Sequence, residues 1–521
     1  MINRRFIVNL VANALDFLLM VLVGIWLTPY LIRHVGVAAY GLIPLTKNVT
    51  PYINLFTLIV NSALGRFLTS ALDRKDYDEA NRIFNTSFWG SVAVLLVLLG
   101  PCLWLSFHAD WLFAVPAGQE RDAAWLLLAI VGMFYLTTLS SAFSVSSFCQ
   151  NRLAVMNVVN ILSTVVRVAV IVLLFTVSTP SVLHVGVALF ISTGLTCLGA
   201  VRIWRKLTPM LELRISWFNL TTLRQLAGFG SWVVVDSIGT ILSLSTDLLV
   251  VNRLIGAEAT GHYAAVGTWS ALLSSFAGVV AGVFAPTMIL LYSRKDVAGL
   301  IDYARRAVRF VGLVMAIPIG LICGLSKPLL KLWLGEEFVP LAPLMTLMTC
   351  HLCINLAILP LLHILLAANK VRIPGIVSCL IGLLNLALAI LLAGPVGWGL
   401  YGVAAAGAIA LTSKNLIFAP IYAARILGLK WSTYFYAIIP VAGATLGLAA
   451  LGWTVVSLFP VCSWLGLIIV SLILGVIVSA FIFVVLLEHT ERFHVVSMLC
   501  PWMSPRFSGD RGLGVSPKPM E

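Results

Sequence analysis

The chain has 521 residues, of which 60% are hydrophobic and only 10% are charged. A water-soluble domain covers its surface with about a quarter charged residues, so this composition excludes one. Its 33 Lys and Arg outnumber 20 Asp and Glu for a net charge of +13. In a soluble protein that excess would suggest nucleic acid, whereas in a membrane chain it has to be judged by position.

Arg4 and Arg5 precede an apolar stretch from Phe6 to Ile32, interrupted by Asn13 and Asp16. It is too long for a signal-peptide core and reads as a retained first span. From there apolar runs of about 20 residues recur to the end of the chain, each long enough to cross ~30 Å of hydrocarbon. The alternating pattern of barrel strands does not occur. The pattern predicts an all-α, polytopic membrane protein of about fourteen helices, at 6–32, 42–70, 86–107, 123–148, 153–177, 183–204, 227–251, 263–291, 307–325, 341–368, 373–394, 399–423, 434–458 and 465–487. Gly394-Pro395-Val396-Gly397 is the minimal link between the eleventh and twelfth.

With an even number of spans both termini share one side. Most of the basic residues fall there, including Arg4, Arg5, Arg74, Lys75, Arg202, Arg205, Arg294, Arg305, Arg309 and Lys430. Only Arg33, Arg121, Arg253, Lys327 and Lys331 fall opposite. The asymmetry predicts cytoplasmic termini and accounts for the net charge without nucleic acid. The expected organisation is a six-helix bundle over 1–204, a linker over 205–226, a second six-helix bundle over 227–424, two additional helices over 425–487 and a flexible cytoplasmic tail over 488–521. Within the linker, the amphipathic stretch Leu213–Leu223 is expected to lie along the membrane surface.

The two bundles are expected because the chain repeats itself. At an offset of 220, Asp16 falls on Asp236, Arg33 on Arg253, Gly36 on Gly256, Gly41 on Gly261 and Arg74-Lys75-Asp76 on Arg294-Lys295-Asp296. Further on, Asn151-Arg152 resembles Asn369-Lys370 at 218, and Gly186-Val187-Ala188 matches Gly402-Val403-Ala404 at 216. Each half spans an even number of times, so the two are parallel repeats with a ligand path expected between them. Helices 13 and 14 have no counterpart.

Seven ionisable residues lie inside spans: Asp16, Lys47, Arg66, Arg167, Asp236, Asp247 and Lys414. Each costs about 2.5–3.5 kcal/mol against lipid, so they must face water, one another or a ligand. Their polar neighbours recur at helical spacing: Asn9, Asn13 and Asp16; Lys47, Asn54 and Asn61; Asn157, Asn160, Thr164 and Arg167; Asp236, Thr240, Ser243 and Asp247. Four polar faces are expected to line a hydrated cavity. In it Asp16, Asp236 and Asp247 would load protons. Lys47, Arg66, Arg167 and Lys414, with Asn13, Asn54, Asn61 and Asn160, would bind an anionic substrate, phosphate oxygens above all. The competing reading makes these groups ion pairs that join helices, with Arg66 snorkelling from its helix end.

Cys350-His351-Leu352-Cys353 lies in an apolar helix without a second ligand pair, and the scattered cysteines read as packing residues. His351 and His363 likewise read as packing residues. There is no Gly-x-x-x-x-Gly-Lys-Ser/Thr loop. No cofactor is expected, and transport would draw on an ion gradient or on the substrate's own.

Val35-Gly36-Val37-Ala38-Ala39-Tyr40-Gly41, echoed by Ile255-Gly256-Ala257-Glu258-Ala259-Thr260-Gly261, resembles a recurring turn of polysaccharide exporters. These are the lipid-linked oligosaccharide (O-antigen) flippases of the multidrug/oligosaccharidyl-lipid/polysaccharide (MOP) superfamily. The loop Asp73-Arg74-Lys75-Asp76 is similar too. The resemblance covers residues 1 to about 430 and implies a V-shaped pair of bundles, alternating access and a polyprenyl-pyrophosphate-linked glycan as substrate. It further implies a cationic lumen, which Lys47, Arg167 and Lys414 suit by chemistry, and a lipid groove at the two extra helices. Membrane lipids and proteins of a polysaccharide polymerase or export complex are the implied partners. A multidrug/cation antiporter of the same superfamily is the alternative, ahead of a membrane glycan polymerase or an export-complex scaffold.

Overall fold

The computed structural model describes residues 4–61, 64–368 and 370–486. Asn369 and the expected tail over 488–521 lie outside the described residues. Among the described residues the protein is all helix, without a strand. We number the helices α1 (Arg4–Val35), α2 (Val37–Lys47, Val49–Asn61 and Leu64–Asp73), α3 (Tyr77–Phe107), α4 (Glu120–Cys149), α5 (Leu153–Val177) and α6 (Val182–Leu207). There follow α7 (Leu220–Leu244 and Asp247–Leu254), α8 (Ala257–Gly282 and Ala285–Ser293), α9 (Val297–Gly324) and α10 (Ala342–Cys350, Leu352–Ala357 and Leu359–Ala367). The last are α11 (Arg372–Ala393), α12 (Gly399–Thr412, then Ser413–Phe418 and Ala419–Ile426), α13 (Phe435–Leu458) and α14 (Trp464–Phe481).

Among the described residues twelve helices are long and apolar enough to cross a membrane, and up to thirteen if Leu220–Gly228 and Val233–Leu244 of α7, bent by 52° from each other, form one span. The sequence predicts fourteen. The difference is α2, which is broken into short segments. Pro51 has no N–H and its ring collides with the carbonyl four residues back, which belongs to Lys47. That carbonyl instead accepts from the Thr50 hydroxyl at 2.8 Å. A break follows at Asn48, leaving Lys47 at the C-terminal end of a helical segment.

The residues shared between the repeats are mostly turns. Gly36 and Gly256 precede α2 and α8 with φ of 84° and 123°, a region closed to most side chains. Lys75 and Lys295 both take left-handed backbone, at φ 59° and 58°. The Asp that follows each caps the next helix: Asp76 accepts from Glu79 N at 2.9 Å, and Asp296 from Gly299 N at 2.9 Å. Arg-Lys-Asp is thus a helix stop followed by a helix start.

Gly41 and Gly261 do something else. They meet where α2 crosses α8, joining the two sets of helices backbone to backbone. A methyl group on Gly41 would stand 2.6 Å from the Gly261 amide nitrogen, and one on Gly261 only 2.0 Å from the Val37 carbonyl oxygen. Small residues allow this approach between membrane helices. Gly261→Ala should therefore destabilise the protein by about 1–3 kcal/mol. Gly278→Ala, on the same helix with open space around it, should cost nothing measurable. Thermal unfolding of the two purified variants checks this.

One hydrophobic core runs through the ends of the first set that carry the 36 and 256 turns, and on into the second set. It includes Leu31, Ile43, Ile130 and Leu189 together with Val251, Ala265, Met315 and Leu330. The opposite ends of the first set hold a separate core of Leu64, Leu68, Phe84, Phe143 and Trp204. The sets are fused on the turn side; on the linker side the described residues form no shared hydrophobic core, although Leu220–Leu244 of α7 packs against α2 and α3 and Asn219 N donates to Thr86 Oγ1 at 3.1 Å. α13 lies along α9, with Gly312 against Val441, Gly320 against Leu448 and Gly324 against Gly452.

The linker does not form the amphipathic surface helix expected at Leu213–Leu223. It has one 3-10 turn at Ile215–Trp217, and α7 begins at Leu220, capped by Asn219. Two asparagines a turn apart on α3 hold its backbone. Asn81 donates to Met210 O at 3.0 Å and accepts from Glu212 N at 2.8 Å. Asn85 donates to Glu212 O at 2.7 Å and accepts from Arg214 N at 2.8 Å. Backbone polar groups taken by these amides no longer favour a local helix.

Candidate functional site

The polar stripes of α1 and α5 face each other. Asn9 donates to the backbone and side-chain oxygens of Asn151, each at 3.1 Å, and accepts from Ala154 N at 3.0 Å. One turn on, Asn157 donates to Asn13. Above that Asn160 stands near Asp16. The helices run parallel, so polar groups at equal heights satisfy one another in two rungs. These two stripes were expected to present separate faces to a cavity. Periodicity identifies a polar face but not what stands opposite it.

α7 and α11 repeat the theme. Asp236 accepts from the Ser378 hydroxyl at 2.8 Å. Ser378 lies 218 residues after Asn160, so both acids of the repeat are held by equivalent helices. Asp247, just past the break in α7, accepts from Asn385 at 2.9 Å and from Tyr263 at 3.4 Å. Applying the 218 offset to Asn160 and Arg167 would have found Ser378 and Asn385 in the sequence.

That same offset isolates Arg167. Its counterpart Asn385 meets Asp247, but the residue equivalent to Asp247 in the first set is Leu27. The acid is missing where the guanidinium stands. Arg167 Nε is buried and has no hydrogen-bond partner. Lys47, at the break in α2, is close enough to Arg167 for the two positive charges to repel. Among the described residues neither forms an ion pair with an acid within 4.0 Å. Two unmatched cations side by side inside the membrane are costly unless an anion visits them.

Lys414 lies in the π-helical turn Ser413–Phe418 of α12, a distortion common at functional sites. It feels the charge of Asp236 without closing to an ion pair among the described residues. The remaining expected residues are scattered. Asn54 is exposed and accepts from the Thr57 hydroxyl at 3.0 Å. Asn61 accepts from Ser87 at 3.0 Å and Ser91 at 3.2 Å, tying α2 to α3. Arg66 is exposed on the last segment of α2. His351 bonds Asn355 at 2.7 Å, a contact within α10.

On the turn side the two sets are latched by residues the sequence does not single out. Asn252 of α7, 1% exposed, accepts from Ala114 N at 2.7 Å and donates to Ala114 O at 3.2 Å. Trp333 Nε1 donates to Ile25 O of α1 at 2.6 Å. Glu336 in the neighbouring loop pairs with Lys331 at 2.6 Å, and this bond raises the lysine's pKa. On the lipid-facing flank a 780 Å³ apolar groove runs along α14 from Trp464 to Val484, with Ile317 and Leu321 of α9 as its other wall.

Residues 4–291 match the family described as "Polysaccharide biosynthesis protein". EpsK, a membrane protein of Bacillus subtilis (strain 168), is 35% identical over 492 residues, which cover 94% of this chain and 97% of EpsK. Among solved structures, the lipid II flippase MurJ in an inward closed conformation has a TM-score of 0.62 at 15% identity, over 92% of this chain and 99% of MurJ. An inward-facing MATE-family multidrug resistance transporter of the MOP superfamily has 0.61 at 12% identity, over 84% and 98%. The structural likenesses establish the fold, and the sequence matches establish the lineage. This chain belongs to the polysaccharide biosynthesis protein family and has the helical fold of the MOP-superfamily transporters.

Proposed function

We propose that this protein is a flippase that moves a polyprenyl-pyrophosphate-linked oligosaccharide, such as an O-antigen or other polysaccharide repeat unit, across a bacterial inner membrane by alternating access. The observation that carries this reading is the pair Lys47 and Arg167, two neighbouring cations within the membrane without an acid between them. A pyrophosphate supplies the missing charge, and a guanidinium and an ammonium bind its oxygens by charge-assisted hydrogen bonds. The linker side faces the cytoplasm by the distribution of basic loops. The cargo enters there headgroup first, with its polyprenyl chain left in lipid, and the bundles over 1–204 and 227–424 rock about the Gly41–Gly261 crossing. A polysaccharide polymerase or export complex would take the product on the opposite face.

The fold also suits a multidrug/cation antiporter, and Asp16 on α1 would serve one. The Lys47–Arg167 pair repels a cationic drug and attracts an anionic one, so the flippase is favoured. Inverted membrane vesicles with a fluorescent polyprenyl-pyrophosphate glycan test the assignment directly. Glycan should become protected in the presence of the protein, and an organic cation offered instead should not accumulate. Movement of the cation alone would overturn the reading.

Asp16 and Asp236 occupy equivalent positions, are half-buried and form no ion pair among the described residues, which leaves them able to exchange protons. Asp16→Asn with Asp236→Asn should abolish the dependence of flipping on an imposed pH gradient while glycan binding persists. An unchanged gradient response in the vesicle assay would remove the proton from the mechanism.

A further inference from the structure

The linker-side end of α9 carries a second basic site, remote from Lys47 and Arg167. A cavity of 580 Å³ opens where α9 meets the connection from α12 to α13, and its polar lining is Arg305, Arg309, Lys430, Ser432, Thr433 and Tyr436. Arg305 and Arg309 are one helical turn apart and share a face. Lys430 approaches from the connection, where the Thr433 hydroxyl bonds the Lys430 carbonyl at 2.7 Å and shapes the turn. Among the described residues no carboxylate lines the cavity. The acid one turn earlier on α9, Asp302, is paired with Arg306. Among the described residues neither Arg305 nor Lys430 has an ion-pair partner within 4.0 Å.

We propose that this cavity holds the phosphate headgroup of an anionic phospholipid from the linker-side leaflet. Arg305, Lys430 and the Ser432 hydroxyl match a phosphodiester in charge and hydrogen-bonding capacity. The level of the membrane surface is marked by Trp431 and Tyr436, 65% and 73% exposed, at the rim of the same connection. Ile301, Leu429 and Ala437 form the apolar part of the wall, which suits the glycerol and first methylenes of a lipid better than a fully hydrated soluble anion. Such a lipid would bridge α9 to α13, one of the two helices without a counterpart in the repeat.

The test compares retention of phosphatidylglycerol and phosphatidylcholine of identical acyl chains by the purified full-length protein, read by native mass spectrometry. Wild type should retain phosphatidylglycerol preferentially, and Arg305→Gln with Lys430→Gln should lower that retention by about fivefold or more, since each surface charge is worth about a fivefold change. Phosphatidylcholine retention should not change. Arg202→Gln with Arg205→Gln, a basic pair on the same side, should leave both lipids unaffected. Equal phosphatidylglycerol retention by the cavity variant and wild type, or equal loss in the Arg202/Arg205 variant, overturns the proposal. A photoactivatable phosphatidylglycerol on wild-type protein gives an independent reading. Adducts within 301–309 or 429–437 support the site, whereas adducts only elsewhere, or complete competition by inorganic phosphate, overturn it.

Discussion

Arg167→Gln should lower glycan flipping by about 10- to 100-fold, because a charge-assisted hydrogen bond contributes about 1.5–3 kcal/mol and 1.4 kcal/mol is a factor of ten. Protein abundance and thermal stability should stay the same or rise. The sign follows from the surroundings: Arg167 has a buried nitrogen without a partner and a like-charged neighbour in Lys47. Removing one of two repelling charges relieves the apo protein. Were Arg167 a joint between helices, its loss would instead deplete the folded protein, since breaking a buried pair costs about 3–5 kcal/mol. Lys47→Gln should act in the same direction. Flipping measured per molecule of protein, beside melting curves, separates the two accounts. Activity falling only in proportion to abundance would make both cations structural.

Asn252→Ala should open the turn side. The substitution removes three hydrogen bonds, one of them to Thr260 within the same helix set, and leaves the Ala114 N–H and C=O facing an apolar side chain, at a cost of about 1–3 kcal/mol for each unsatisfied group. A difference of that size shifts the balance between closed and open forms by one to a few factors of ten. Spin labels at Trp111 and Glu336, both exposed on turn-side loops of opposite helix sets, should report a new, longer distance in the variant. Trp333→Phe, which breaks the bond to Ile25 O but keeps an aromatic ring, should move the distribution the same way and less far. An unchanged distance distribution in both would mean that these contacts do not gate the turn side.

Much of this protein is legible in its residues because the bilayer allows few solutions. Long apolar runs must become helices, since every backbone polar group needs a partner inside the segment. The offset of 220 revealed the duplication, and the residues that carry it turned out to be physical necessities. Gly36 and Gly256 hold positive φ, Asp76 and Asp296 cap helices, and Gly41 and Gly261 touch. The expected count of fourteen spans is not matched at α2 among the described residues, where Pro51 stood in the sequence as a warning. Leu213–Leu223 is not one helix, and Asn81 and Asn85, some 130 positions earlier in the chain, hold the backbone from Met210 to Arg214 that leads into it.

From the sequence alone follow the membrane habitat, the helical class, the duplicated plan and the roster of charged residues within spans, because each depends on composition or on spacing along one helix. The tertiary structure decided which of those charges have partners. Asn9 and Asn13 close into rungs with Asn151 and Asn157, Asn61 turns toward α3, Asp247 is held by Asn385 and Tyr263, and Lys47 and Arg167 are left near each other. A side chain's partner is set by the neighbouring helix and its height along the membrane normal, neither of which is encoded in the period of its own helix.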